Sequence, residues 1–162
     1  DNSKFKTNHT LMSYFYVFLF SILPISELRG AIPLGILEFH LPWQTVFLIA
    51  VTGNICGMIL AWVILKYLIK LILHYFSFGQ KVFDWMWQRT ERKNKKKFQI
   101  LGDLALLTFV AIPLPFTGAW TGVLASFIFK IPSRRALPII SLGILIAGII
   151  VELSVLGLIK II

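Results

Sequence analysis

Leu23-Pro24-Ile25-Ser26-Glu27-Leu28-Arg29-Gly30-Ala31-Ile32-Pro33-Leu34-Gly35 interrupts a hydrophobic run in which regular helix would otherwise continue. Proline removes a backbone donor and clashes with the preceding turn, so the helix must break here. A second stretch, Ile112-Pro113-Leu114-Pro115-Phe116-Thr117-Gly118-Ala119-Trp120-Thr121-Gly122, has the same ingredients of prolines, glycines and a Gly-Ala pair. Only the first adds an acid and an arginine. Broken backbone at bilayer depth survives only where it is buried in protein or lines a wet cavity. Function is therefore sought at these two breaks.

Working outward, the chain has 162 residues, 57% of them hydrophobic and 14% charged, which places it as one domain of a membrane class. Residues 41–65 are 25 in a row without a formal charge, and residues 104–129 are 26. Either run is long enough to cross a bilayer. The competing reading, a core helix of a soluble protein, fits poorly with several such runs in so small a chain. The polar N-terminus lacks Met and no small-residue cleavage site follows its apolar run, so a processed or trimmed end is expected rather than a signal peptide. Cys56 lies mid-span and reads as a packing residue.

The net charge of +9 is concentrated. Lys81, Arg89, Arg92, Lys93, Lys95, Lys96 and Lys97 face only Asp84 and Glu91 within residues 81–97. Between membrane segments this reads as a cytoplasmic loop over 80–99, obeying the positive-inside rule and touching anionic lipid, in preference to a nucleic-acid site. The expected location is the cell membrane. Val82, Phe83, Met86 and Trp87 give that loop a short apolar face for lying on the membrane, with Trp85 and Trp87 as interfacial anchors.

Residues 1–10 are expected to fray. Residues 11–22 supply about 18 Å of helix, too little to cross a ~30 Å core. Ile32–Phe39 forms a second short piece. Such half-length helices make either one kinked span or a re-entrant hairpin. Pro42 suits the start of a long helix running to about Phe78, with Lys66, Lys70 and His74 on one face near its end. Gly53 and Gly57 allow close helix approach. Residues 100–129 form the second broken segment, with Asp103 as a helix N-terminal charge, and residues 136–162 the final span.

The halves match at a nearly fixed offset. Pro24 matches Pro113, Ala31 matches Ala119, Leu41-Pro42 matches Ile131-Pro132, and Gly53 matches Gly143. With the basic loop inside, charge bias keeps Lys130, Arg134 and Arg135 inside too, which requires 100–129 to be re-entrant. The fold expected is an all-α integral membrane protein of two inverted repeats, each a broken re-entrant helical hairpin followed by a transmembrane helix. The first repeat covers 11–79 and the second 100–162. Inverted repeats with broken helices near the midplane are a recurrent transporter design.

The run Glu27 to Gly35, the pair Gly53-Asn54, and Ala111-Ile112-Pro113-Leu114-Pro115 followed by Thr117-Gly118-Ala119-Trp120-Thr121-Gly122 resemble the signature of the small multidrug export family. Through it the chain is similar to the DedA (SNARE-associated Golgi protein, VTT-domain) superfamily. The resemblance covers nearly the whole chain. It implies two opposed re-entrant hairpins and movement of lipid phosphates such as undecaprenyl phosphate, or phospholipid scrambling, with Glu27 and Arg29 as the essential acid and arginine. Phe116 departs from the small residue expected there and would narrow the second hairpin.

Arg29 is an intramembrane cation by position, and such residues face the protein interior or a wet cavity. Either Glu27 and Arg29 form a structural ion pair, or Arg29 binds an anionic head group bidentately while Glu27 exchanges a proton. Helices beginning at Gly30 and Gly118 would add positive dipole ends. The substrate-binding set is accordingly Arg29, Gly30, Thr117, Gly118, Trp120 and Thr121. Glu27 and Glu152 are the candidates for proton coupling, with Glu152 equally readable as a head-group residue. Asn54 either lines the path or bonds a neighbouring helix.

The expected function is a transporter or flippase for an amphipathic anion such as a lipid phosphate, with or without proton coupling. The alternatives are an exporter of lipophilic or cationic compounds and a non-transporting membrane assembly protein. The acid beside an arginine tilts the choice to the anion. An intramembrane enzyme is disfavoured: the histidines lie near segment ends, and no paired-aspartate or metal-ligand spacing occurs. No cofactor or metal is expected. The partners expected are membrane lipids and a second copy of the chain, since two hairpins and two spans are few to seal a pathway.

Overall fold

The computed structural model describes residues 2–75, 95–114 and 117–161, with side chains at 9–68, Leu71, 99–114 and 117–161. The expectations placed on the basic loop, on Lys70 and His74, and on Pro115 and Phe116 lie outside these described residues. Among the described residues six α-helices follow one another: α1 (Asn2–Ile22), α2 (Glu27–Pro33), α3 (Trp43–Tyr75), α4 (Lys95–Ala111), α5 (Ala119–Ile128) and α6 (Ser133–Ile161). A π-helical segment, Leu34–Glu38, continues α2. Among the described residues there is no strand.

The breaks fall where the prolines demand. Helix α1 ends at Ile22, just before Pro24, and α4 ends at Ala111, just before Pro113. Four helix starts differ from expectation. Helix α4 begins at Lys95, within the expected 80–99 loop, which puts Asp103 in mid-helix and not at a helix N-terminus, and α6 begins at Ser133 and not at 136. Helix α1 already begins at Asn2, so its polar start is helical and not frayed. Helix α2 begins at Glu27, so Gly30 sits inside it, with its N–H donating to the Ser26 carbonyl at 2.9 Å. Pro33 has no N–H to offer the Arg29 carbonyl one turn back, and the chain passes into the wider π-helix at the next residue.

The two halves share several backbone details. His40 and Lys130 both adopt left-handed φ angles, +51° and +50°. Each precedes the Leu-Pro or Ile-Pro pair that opens a long helix. Thr45 and Val46 N–H groups bond the Pro42 carbonyl, and Arg135 and Ala136 bond the Pro132 carbonyl in the same way. The glycines 90 residues apart also do the same job. A Cβ at Gly53 would meet Ser21 Oγ at 2.0 Å and the Phe18 carbonyl at 2.8 Å on α1. A Cβ at Gly143 would meet Val110 on α4 at 2.7 Å. The absence of a side chain brings α1 onto α3 and α4 onto α6.

The register of these contacts gives the chain direction. Gly53 faces Phe18 and Gly57 faces Ile22, so α1 and α3 run the same way. Asp103 meets Arg135 and Val110 meets Gly143, so α4 and α6 also run the same way. Met58 lies by Ser141 while Phe47 and Val51 lie by Gly148, so α3 and α6 are antiparallel. In each half the chain therefore advances, breaks partway along the long helix, returns through the short helix and starts again. Ile22 reaches Gly57, about 20 Å along α3 at 1.5 Å per residue.

The core joins both halves, with Val17, Leu28, Ile32 and Val46 from the first and Val110, Val123, Ile140 and Ile144 from the second. Trp62 on α3 stacks on Phe127 of α5, ring centroids 4.4 Å apart. The outer surface is apolar as well: Phe15, Leu48, Ile59, Leu145 and Leu153 are all exposed. Contiguous exposed apolar surface of this kind marks an interaction or membrane face. Trp43–Leu68 and Ser133–Ile161 are long and apolar enough to cross a membrane.

Candidate functional site

The two breaks meet. Glu27 begins α2 with a left-handed φ of +46°, and its side chain crosses to the second break, where it is only 5% exposed. Its carboxylate accepts the backbone N–H of Ala119 at 3.3 Å and that of Trp120 at 3.3 Å. Those are the first two amides of α5, donors left without intrahelical partners at a helix start. A carboxylate there is favoured by the helix dipole as well. Gly118 makes the approach possible: its φ is +148°, and a Cβ would sit 1.9 Å from Glu27 Oε2. Here glycine is required twice, by conformation and by space.

Arg29 follows the same route. Its guanidinium donates to the Leu114 carbonyl and, at 2.9 Å, to Thr117 Oγ1. The Thr117 hydroxyl is the knot of the second break. It donates to the Ile112 carbonyl at 2.8 Å or the Leu114 carbonyl at 2.9 Å, and accepts the Leu114 N–H at 3.2 Å. Arg29 Nε is buried with no partner. Glu27 and Arg29 thus act as two side chains of one break gripping the other.

One bond runs in the reverse direction. The Trp120 indole N–H donates to the Ile22 carbonyl at 2.9 Å, one of the carbonyls freed at the end of α1. Thr121 bonds its own turn, Oγ1 to the Gly118 carbonyl at 3.3 Å. Asn54 on α3, 1% exposed, lies against the Glu27 carboxylate, and its Oδ1 has no partner. It thus belongs to the site, through Glu27.

Glu152 is not brought in. It is 7% exposed and its Oε1 is unpartnered. Gly148 lies level with Val51, and Glu152 is a turn beyond it, away from Asn54. The antiparallel register puts Glu152 about 10 Å along the axis from the level of Asn54. Gly30 lies in α2 with its amide already bonded, so it offers no free helix end. Sequence reading missed the carbonyls of Ile22 and Leu114 and the ion pair between Arg135 and Asp103. Backbone carbonyls leave no mark in a sequence, and a 32-residue separation gives no periodic signal. Among the described residues no group of three or more His, Cys, Asp or Glu could hold a metal.

One family model, described as Putative small multi-drug export protein, matches residues 27–150, from Glu27 through most of α6. No curated protein and no solved structure matches the chain. The match covers the first break from Glu27 onward, the whole second break and most of the sequence, and the chain belongs to that family.

Proposed function

With family membership as the premise, we propose that this chain is a membrane transporter that moves an amphipathic anion, such as a lipid phosphate, past the meeting point of its two breaks. One observation carries the reading. An anionic group, the Glu27 carboxylate, already occupies the start of α5, beside the unpartnered Nε of Arg29. Glu27 is the internal stand-in for the substrate's head group.

A phosphate reaching this point would take the Ala119 and Trp120 amides from Glu27. Arg29 would turn from the Leu114 carbonyl and bind the anion with paired N–H donors, the geometry a guanidinium suits. The displaced Glu27 would then accept a proton, since an unpaired carboxylate at bilayer depth is costly. Transport is thereby coupled to protons through Glu27. Asn54 is poised to bond either form of the acid, as an amide both donates and accepts. With Glu152 about two turns away, proton exchange between the two acids would need intervening water.

The directions of the helices support the membrane arrangement. Parallel α1 and α3, parallel α4 and α6, and antiparallel α3 and α6 are the directions that two re-entrant hairpins entering from opposite faces of inverted repeats would have. The basic charge of residues 80–99 supports a cytoplasmic side for that loop in a cell-membrane protein. The resemblance to the DedA superfamily supports a lipid phosphate as the cargo. Two hairpins and two spans enclose little, so the working unit is a homodimer. The family description and the buried acid favour a second reading, export of lipophilic cations.

The test is transport in reconstituted vesicles, with fluorescent polyprenyl phosphate, fluorescent phosphatidic acid and a lipophilic cation as separate cargoes. The anions should move, and Glu27→Gln and Arg29→Ala should each slow them about tenfold or more. Anion rates unchanged in both variants would sink the site. Movement of the cation alone would establish the second reading, and no movement of any cargo by folded protein would favour an assembly role.

A further inference from the structure

A cavity of about 590 Å³ lies away from the meeting point of the breaks, between the outer halves of α4 and α5. Its volume is in the range of ordinary ligand sites, about 300–1,000 Å³. Its body is apolar, walled by Ala105 and Phe109 from α4 and Phe129 at the end of α5. Its polar groups, Gln99, Asp103, Lys130 and Arg135, come from the outer turns of α4 and from the chain around the start of α6. Arg135 donates to Asp103 through one nitrogen, Nη2, which leaves the other guanidinium donors to face a ligand. Arg135 and Lys130 bring basic side chains to this end of the cavity, and Asp103 an acidic one. The exposure of Phe129, Leu101 and Phe109 leaves the cavity open along its apolar flank.

We propose that this cavity is a binding site for an anionic lipid, whose phosphate pairs with Arg135 and whose acyl chain lies along Ala105, Phe109 and Phe129. A charged end joined to an apolar body open at the flank matches an amphiphile and offers little to a free ion. Guanidinium is the side chain suited to planar pairing with phosphate oxygens. The site is separate from the Glu27 region and stands whether or not the chain transports anything.

Gly102 provides the test. A Cβ added there meets nothing within 4 Å, although the residue lines the cavity. Gly102→Leu therefore adds a side chain at the cavity wall whose Cβ has room, and replaces a poor helix former with a good one. Ala105→Phe is the second filling variant. The purified protein in neutral detergent is mixed with phosphatidic acid, phosphatidylcholine or inorganic phosphate, and bound lipid is counted by native mass spectrometry. Circular dichroism and elution volume check each variant's fold.

Phosphatidic acid should be retained about tenfold more tightly than phosphatidylcholine, and inorganic phosphate should not displace it. Gly102→Leu and Ala105→Phe should abolish the retention, and Arg135→Gln should reduce it to the phosphatidylcholine level. Equal retention of both lipids, full retention in folded filling variants, or displacement by inorganic phosphate would each overturn the proposal. Loss of transport by Glu27→Gln with lipid retention intact would leave this site standing alone.

Discussion

The two breaks share an outline and divide the chemistry. Each ends a helix at a proline, reverses, and starts a short helix back toward a second proline. The first break supplies charged side chains, Glu27 and Arg29. The second supplies backbone: the Ala119 and Trp120 amides and the Leu114 carbonyl, braced by the Thr117 hydroxyl. Each therefore satisfies what the other leaves open. Two identical breaks could not do this, because two sets of side chains would compete for too few free backbone groups. Duplication gives the frame, and divergence at the tips gives the fit.

The harshest way to break that division is to deny Glu27 its approach. Gly118→Ala puts a methyl within 1.9 Å of Oε2 at a φ of +148°. Overpacking and backbone strain together should cost on the order of 3 kcal/mol or more. Thermal unfolding in detergent should show a large loss, whereas Gly157→Ala, where a Cβ meets nothing, should show none or a small gain. Equal effects at the two glycines would mean that the breaks do not meet as described.

Removing the acid comes next. Glu27→Ala leaves the Ala119 and Trp120 amides buried without a partner, at about 1–3 kcal/mol for each group. Glu27→Gln keeps a carbonyl oxygen for one of them and should lose about half as much stability. The Gln variant separates structure from transport: it should retain the fold, lose the anion flux, and lose any dependence of that flux on a proton gradient. Flux that still follows the gradient in Glu27→Gln would move the proton-carrying role elsewhere, with Glu152 the next candidate.

Much of this arrangement was legible in the chain itself. The prolines located both breaks, Pro42 and Pro132 located the starts of the long helices, and Gly53 and Gly57 predicted the close approach that brings α1 onto α3. Glu27, Arg29, Asn54, Thr117, Gly118 and Trp120 were all picked out and are all brought together. What stayed hidden has a common physical cause. The start of α2 moved from Gly30 to Glu27 because Glu27 adopts a left-handed φ in order to reach α5. The partners of the charged residues are main-chain atoms, which every sequence contains. The π-helical segment after Pro33 follows from a missing donor whose consequence depends on the packing of Gly35 against Val46 and Val17.

The bracing hydroxyl tests the second break alone. Thr117→Val keeps the shape but leaves one Arg29 donor without its acceptor, while the Leu114 N–H keeps only its bond to the Ile112 carbonyl at 2.9 Å. The loss should be about 1–3 kcal/mol. Thr117→Ser restores the oxygen and should recover most of it. If Val and Ser behave alike, the loop is held by Arg29 and the Leu114 carbonyl without help.

The smallest effect belongs to the bond that the Trp120 side chain of the second break makes to the backbone of the first. Trp120→Phe keeps an aromatic ring and removes the N–H that reaches the Ile22 carbonyl at 2.9 Å. That carbonyl retains a second lone pair and lies at a half-buried residue, so the cost should be about 1 kcal/mol. The value of the variant lies in its pairing with Glu27→Gln. If the breaks behave as one interlocked unit, the double variant should differ from the sum of the singles by more than about 0.5 kcal/mol. Additivity would mean that the side chains of the first break hold the second unaided, and that Trp120 only closes the end of α1.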